Sequence, residues 1–291
     1  MSSTDDAVYY LDMHGPSTLA VVNDYVRRSR ALAARASIEA DLPYGQAHSF
    51  QRFSVVWPQR RQDTRMAVVF FHGGWWKAGN KEDRLFLAEN LLPEGIAFVS
   101  VGYPLAPEHS LATLAQCAEQ AARRVGEHLH AALGRAVPIV LSGNSAGAHL
   151  AAHAAGALAG TASDAQRHAI VGLCVASGLY DLEPIRQSFP NEWLSLSESD
   201  VAALSPVHHL PAPSLPVMLA VGEREPPGFR AQQEHYLELL RQAGAKPQAC
   251  VAPDHDHFTV IAEFGHVGQP LHDWLLACRD APGARTPEAH L

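Results

Sequence analysis

A mostly parallel β-sheet covered by helices on both faces is the fold class this sequence predicts. Short runs of uninterrupted apolar residues recur along the chain, and stretches with helical spacing of apolar residues lie between several of them. Strands buried on both faces read as continuous apolar runs, and the helical stretches supply the crossovers that parallel strands require. Glycine-rich strings follow directly on two of the runs, which places chemistry at the carboxyl ends of strands.

Taken in order, residues 1–50 read as mostly helical, from Ser17 to Arg35, and end in the turn Leu42-Pro43-Tyr44-Gly45. The apolar runs Phe53–Trp57, Ala67–Phe71, Ala97–Val101, Ile139–Leu141, Ile170–Val175, Val217–Val221 and Ala249–Ala252 are the expected strands. Helical patterns cover Arg84–Leu92, Leu111–Leu133, Ser145–Leu158, Phe229–Ala243 and Pro270–Arg279. Residues 180–212, rich in Pro, Ser and acidic groups around Trp193, break the alternation. They and residues 1–50 are expected over the site as a partial cap. With no linker, repeat or low-complexity run, residues 1–291 are expected to form one domain.

Composition removes several classes of function. Apolar residues make up 47% of the chain and charged ones 18%, which describes an ordinary soluble protein. A formal charge of −8 argues against a generally basic nucleic-acid surface. The clusters Arg27-Arg28-Ser29-Arg30 and Arg60-Arg61 read as solvated positions. The opening Met1-Ser2-Ser3-Thr4-Asp5-Asp6 is polar and acidic, unlike a secretory signal, and no apolar run approaches the ~18 residues of a membrane span. Cys117, Cys174, Cys250 and Cys278 are widely spaced with no CxxC pair, as expected of a cytoplasmic, disulfide-free protein.

The string Gly143-Asn144-Ser145-Ala146-Gly147 follows the apolar run Pro138–Leu141. A nucleophilic serine must project from a sharp strand-to-helix turn. Glycines on either side free the backbone there and let the helix pack close to the strand. Serine is a weak nucleophile unless a base takes its proton, and the base needs an orienting carboxylate. Of the 17 histidines, His257 in Asp254-His255-Asp256-His257-Phe258 follows the last strand and precedes the last helix, so it is the expected base. His255 is its neighbouring competitor. The two could instead chelate a metal with His208 or His209, although neither a metal nor a cofactor is expected. The loop after Val217–Val221 reads Gly222-Glu223-Arg224-Glu225-Pro226. Glu225 stands where the orienting acid belongs, with Glu223 as first alternative and Asp254 and Asp256 behind it. The string His72-Gly73-Gly74 after Ala67–Phe71 supplies backbone donors at Gly73 and Gly74 for a developing oxyanion. Ala146, at the start of its helix, adds a third. His72 is expected to brace this loop.

These residues resemble the arylformamidase (kynurenine formamidase) branch of the α/β-hydrolases, near the hormone-sensitive-lipase-like esterases. The resemblance runs from about Tyr44-Gly45 to the end. It is carried by His72-Gly73-Gly74-Trp75-Trp76 with Lys81, Gly102-Tyr103-Pro104-Leu105-Ala106-Pro107, Gly143–Leu150, Tyr180-Asp181-Leu182-Glu183-Pro184 and Asp256-His257-Phe258. An aromatic at Trp75, where the esterases usually carry a third glycine, looks more like the formamidases. The chain departs from the formamidase pattern at Glu225, where that branch has Asp, and at Asn144, where many members have His. The resemblance implies hydrolysis of N-formyl-L-kynurenine to formate and kynurenine, in tryptophan catabolism, without a cofactor.

Trp75, Trp76, Tyr103, Trp193 and Phe258 are the candidates to line the substrate pocket. A ring beside the oxyanion loop narrows the acyl side and favours formyl or acetyl groups, with an aryl leaving group in the wider cavity. Arg224 either pairs with a substrate carboxylate or solvates its loop. The expected partner is thus a small acyl amide or ester. An arylformamidase-type amidase is the leading function and a short-chain carboxylesterase the alternative. A non-enzymatic ligand receptor on the same fold would typically have lost Ser145 or His257, and both are present.

Overall fold

Every apolar run expected to be a strand is one in the computed structural model, which describes residues 4–161 and 170–281. The strands are β1 (Ser37–Pro43), β2 (Arg52–Trp57), β3 (Met66–Phe71), β4 (Ile96–Val101), β5 (Ile139–Asn144), β6 (Ile170–Ala176), β7 (Val217–Gly222) and β8 (Gln248–Ala252). They form one sheet in the order β1-β2-β4-β3-β5-β6-β7-β8. Strand β2 runs antiparallel to both β1 and β4, and all other pairs are parallel. The carboxyl ends of β3, β5, β7 and β8 therefore open onto one edge of the sheet.

The helices among the described residues are α1 (Thr4–Tyr9), α2 (Pro16–Ala33), α3 (Leu111–Leu133), α4 (Ala146–Thr161), α5 (Glu183–Arg186), α6 (Asn191–Leu194), α7 (Glu198–Leu204), α8 (Pro227–Gln242) and α9 (Pro270–Asp280). The central strands alternate their side chains between two apolar layers, as the period of two demands. Ala67, Val69 and Phe71 of β3 join a layer with α3, α4 and α8. Met66, Val68 and Phe70 join the opposite layer with α2 and α9. All six are at most 1% exposed, which is why the run reads as apolar at every position.

Two readings are corrected. The end of the helical opening segment contains the edge strand β1, whose sequence Ser-Ile-Glu-Ala-Asp-Leu-Pro is half exposed and carries acidic residues. A register shift between Glu39 and Leu42 bulges it, with Asp41 at φ 56°, so neither alternation nor an apolar run betrays it. Asp41 and Glu82 together neutralise the buried Lys81. The expected helix Arg84–Leu92 is instead two 3₁₀ segments, Glu82–Ala88 and Leu92–Glu94. Docking of α2 dominates there: Ser29 Oγ accepts the Phe86 amide at 3.1 Å, and Tyr25 stacks on Phe86 at 4.2 Å. Of the polar opening Met1–Asp6, residues 1–3 lie outside the described residues. None of the described helices is long and apolar enough to cross a membrane.

Candidate active site

Ser145 sits between β5 and α4 with φ 55°, a left-handed conformation that costs a non-glycine residue roughly 1–2 kcal/mol. Its amide is anchored on the Ala176 carbonyl at 2.9 Å. The flanking glycines are required by space rather than by their own dihedrals, since neither has a positive φ. A Cβ on Gly143 would lie 2.5 Å from the Gly147 backbone, and one on Gly147 would lie 2.0 Å from the Phe71 carbonyl oxygen. The turn is thus wedged against the end of β3.

The loop after β3 is equally tight. Gly74 has φ 128°, and its carbonyl accepts from the amides of Lys77 and Ala78. Trp75 and Trp76 follow in left-handed conformations, φ 52° and 55°. Gly73 donates its N–H to Asn144 Oδ1 at 3.1 Å. Of the three expected oxyanion donors, Gly73 is therefore already engaged, while the amides of Gly74 and Ala146 have no acceptor among the described residues. Asn144, the departure from the formamidase pattern, ties the two loops together. His72 braces the loop from behind: its ring stacks on Tyr103 at 4.3 Å, and the Tyr103 hydroxyl donates to the His72 carbonyl at 2.6 Å. Burial pushes the His72 imidazole down to about 3, so it stays neutral.

Glu225 Oε2 lies 2.6 Å from His257 Nδ1. Its other oxygen accepts from the Gly222 amide at 2.6 Å and the Ser177 hydroxyl at 2.5 Å. The carboxylate side chain is 1% exposed, and all its contacts hold one rotamer. Phe229, at the start of α8, lies against the imidazole of His257 with ring centroids 4.2 Å apart. The competing groups are occupied elsewhere. His255 Nε2 pairs with Glu263 at 3.0 Å. Glu223 accepts from the Asp254 amide at 3.1 Å. Asp256 Oδ1 accepts from the amides of Phe258 and Thr259 at 2.9 Å each, capping the turn that carries His257. No cluster of three or more metal-ligating side chains lies among the described residues.

Ser145, His257, Gly73 and Gly74 line one cavity of about 330 Å³. Trp75 and Phe258 line it as expected; Trp76, Tyr103 and Trp193 do not. Trp76 is fully buried and donates its indole N–H to His149 Nδ1. Tyr103 lies behind the loop on His72. Trp193 donates to the Trp75 carbonyl at 3.0 Å, and Phe189 packs edge-on against the Trp75 ring. Residues 180–212 thus buttress the wall, whereas the N-terminal segment forms part of it through Leu11, Met13, Val22 and Tyr25. Arg224 donates to the Asp254 carbonyl and does not line the cavity. Sequence reasoning missed Tyr25, Asp83 and Arg84, because they reach the cavity from elements far from any motif.

A strand-borne serine elbow, a buried carboxylate on a histidine and a Gly-Gly loop at one sheet edge define a hydrolase architecture, and the chain belongs to the α/β-hydrolase fold family, whose model matches residues 68–261. Within it, the chain is similar to kynurenine formamidase of Danio rerio, 32% identical over 228 residues, 77% of this chain and 75% of that one. Kynurenine formamidase of Salmo salar is 28% identical over 257 residues, covering 85% and 83%. A candidate thioesterase from Silicibacter shares the fold with a TM-score of 0.80 at 24% identity, over 97% of this chain and 100% of that one.

Proposed function

We propose that the protein is a serine hydrolase of the arylformamidase type, cleaving N-formyl-L-kynurenine to formate and kynurenine. The observation that carries it is the Glu225–His257 hydrogen bond beside the cavity that holds Ser145 and the Gly-Gly loop. The substrate class rests on similarity to two kynurenine formamidases and on Trp75, an aromatic residue that lines the cavity next to Gly74.

In this reading His257 Nε2 takes the proton of Ser145 Oγ as that oxygen attacks the formyl carbon. Glu225 holds Nδ1–H and stabilises the imidazolium. The carbonyl oxygen gains charge and is met by the amides of Gly74 and Ala146, the latter at the positive end of α4. Collapse of the tetrahedral intermediate breaks the C–N bond, and the imidazolium gives its proton to the departing aryl amine. Water, deprotonated by the same imidazole, then releases formate from the acyl-enzyme.

The test is a comparison of kcat/KM on N-formyl-L-kynurenine and on p-nitrophenyl acetate, with Ser145→Ala as control. The formamide is expected to be the better substrate, and Ser145→Ala to lose on the order of 10⁴-fold in kcat on both. Turnover of the ester alone would make the protein a carboxylesterase; a Ser145→Ala variant that keeps a tenth of its activity would place the chemistry elsewhere.

A further inference from the structure

One cation in the cavity has no ion pair among the described residues, although the Asp83 carboxylate lines the same cavity. Arg84 lies on the 3₁₀ segment Glu82–Ala88 and lines the same cavity as Ser145 and His257. Its Nε is buried with no hydrogen-bond partner. The only described hydrogen bond of its guanidinium is Nη1 to the carbonyl of Asp83, at 3.3 Å. No carboxylate among the described residues lies within ion-pair distance of it. The carboxylate of Asp83 instead accepts from Asn80 Nδ2 at 2.7 Å. The buried Lys81, three residues earlier, has both Asp41 and Glu82. Arg84 itself is half-buried, with its Nε covered, and no ion pair among the described residues balances its charge.

Its surroundings deepen the contrast. Arg84 is close enough to Tyr25, His72 and Tyr103 for its charge to act on their titration, and all three are neutral at physiological pH. Desolvation lowers the Arg84 pKa from its usual value, with Asp83 opposing. A guanidinium keeps its charge even so, and presents a planar fork of donors matched to a carboxylate. A half-buried charge without an ion pair keeps only part of its hydration, and a ligand carboxylate that supplies the missing partner gains a charge-assisted pair on binding.

We propose that Arg84 is a specificity-determining residue that receives a carboxylate carried on the leaving-group side of the substrate. This rests on the serine-hydrolase reading of the same cavity. It assigns to Arg84 the role that the sequence offered to Arg224, which is outside the cavity. The scissile carbonyl sits at Ser145 and the carboxylate at the Tyr25–Arg84 wall, so charge pairing orients an aryl acid with its acyl group toward the oxyanion donors. A neutral ester of the same compound loses the pairing.

Two matched substrate pairs test this: N-formyl-L-kynurenine with its methyl ester, and 3-acetoxybenzoate with its methyl ester. For each pair the ratio of kcat/KM, acid over ester, is measured in the wild type, Arg84→Gln and Arg84→Lys, with thermal unfolding of each variant. The wild type is expected to favour the acids by ~10- to 100-fold, mostly through KM, as one charge-assisted pair supplies. Arg84→Gln should bring the ratio near one, and Arg84→Lys should restore part of the preference. If the formamides are inert and the acetoxy pair turns over, the formamidase reading fails while the acetoxy ratio still tests Arg84. A wild-type ratio near one, or a ratio that survives in Arg84→Gln, overturns the proposal whichever pair is cleaved.

Discussion

Replacing Glu225 by Gln changes one atom at the contact with His257 and leaves the size of the side chain almost unaltered. The outcome follows from what its two oxygens meet. Oε1 accepts from the Gly222 amide at 2.6 Å and the Ser177 hydroxyl at 2.5 Å, and Oε2 faces His257 Nδ1 at 2.6 Å. A backbone N–H cannot turn into an acceptor, so the carbonyl of Gln must stay on the Gly222 side. Its NH₂ then faces Nδ1, which has to become an acceptor. The imidazole is held in the tautomer with its proton on Nε2, and it offers Ser145 a donor where a base is needed. Such a tautomer reversal, with loss of the charge that stabilises imidazolium, costs about 10⁴-fold in kcat, or about 5 kcal/mol in the barrier. Initial rates on N-formyl-L-kynurenine and p-nitrophenyl acetate measure it, with thermal unfolding to show that the variant is folded. The neighbouring changes Glu223→Gln, Asp254→Asn and Asp256→Asn should stay within roughly tenfold of wild type, because the first and third keep the acceptor oxygen that their loop contacts use and the Asp254 carboxylate accepts no hydrogen bond among the described residues. A Glu225→Gln enzyme within tenfold of wild type would refute the assignment, and a greater loss in Glu223→Gln would move the acid by two residues.

Ser145→Gly should be inactive yet more stable than wild type by about 1 kcal/mol, since glycine relieves the left-handed strain at φ 55°; a urea midpoint below that of wild type would contradict it. Gly147→Ala should destabilise by about 3 kcal/mol or more, because its Cβ would come within 2.0 Å of the Phe71 carbonyl oxygen; equilibrium unfolding of a folded variant with unchanged stability would show that the elbow can yield. Burial, aided by His153, pushes His149 down to about 3. Its folded pKa lies below the unfolded value of about 6.5, so the unfolded chain binds the extra proton. Stability present above that pH is lost as the pH falls toward 3, by about 2 kcal/mol between pH 7 and pH 5. His149→Gln should lose that much less over the same range in urea titrations, and an identical acid slope would argue against a neutral buried imidazole.

What the sequence determined by itself was the central sheet and the chain positions of the chemistry. Strands β3 to β7 were legible because central parallel strands are buried on both faces, so burial writes itself into a run such as Ala67–Phe71, whereas antiparallel β2 and the largely exposed edge strand β8 were read from short apolar runs alone. The elbow at Ser145 was legible because its small residues stand at fixed positions around the serine, although the contact that demands Gly147 is with the distant Phe71 carbonyl. Glu225 could be picked out because the strand before it fixes where its loop begins, and the structure puts its carboxylate on His257. Strand β1 was not legible, since a bulged edge strand with one half-exposed face carries neither signature. Tertiary structure alone decided which aromatic faces the substrate. Trp75 and Trp76 are adjacent and share a left-handed conformation, yet one lines the cavity and the other lies buried against His149 on α4. It alone also brought Tyr25 of α2 and Arg84 of the 3₁₀ segment to the cavity wall. Local sequence can specify a turn or a buried run, because those depend on a residue's own volume and dihedrals. Which surfaces meet across a pocket depends on how whole layers pack, and no single segment carries that information.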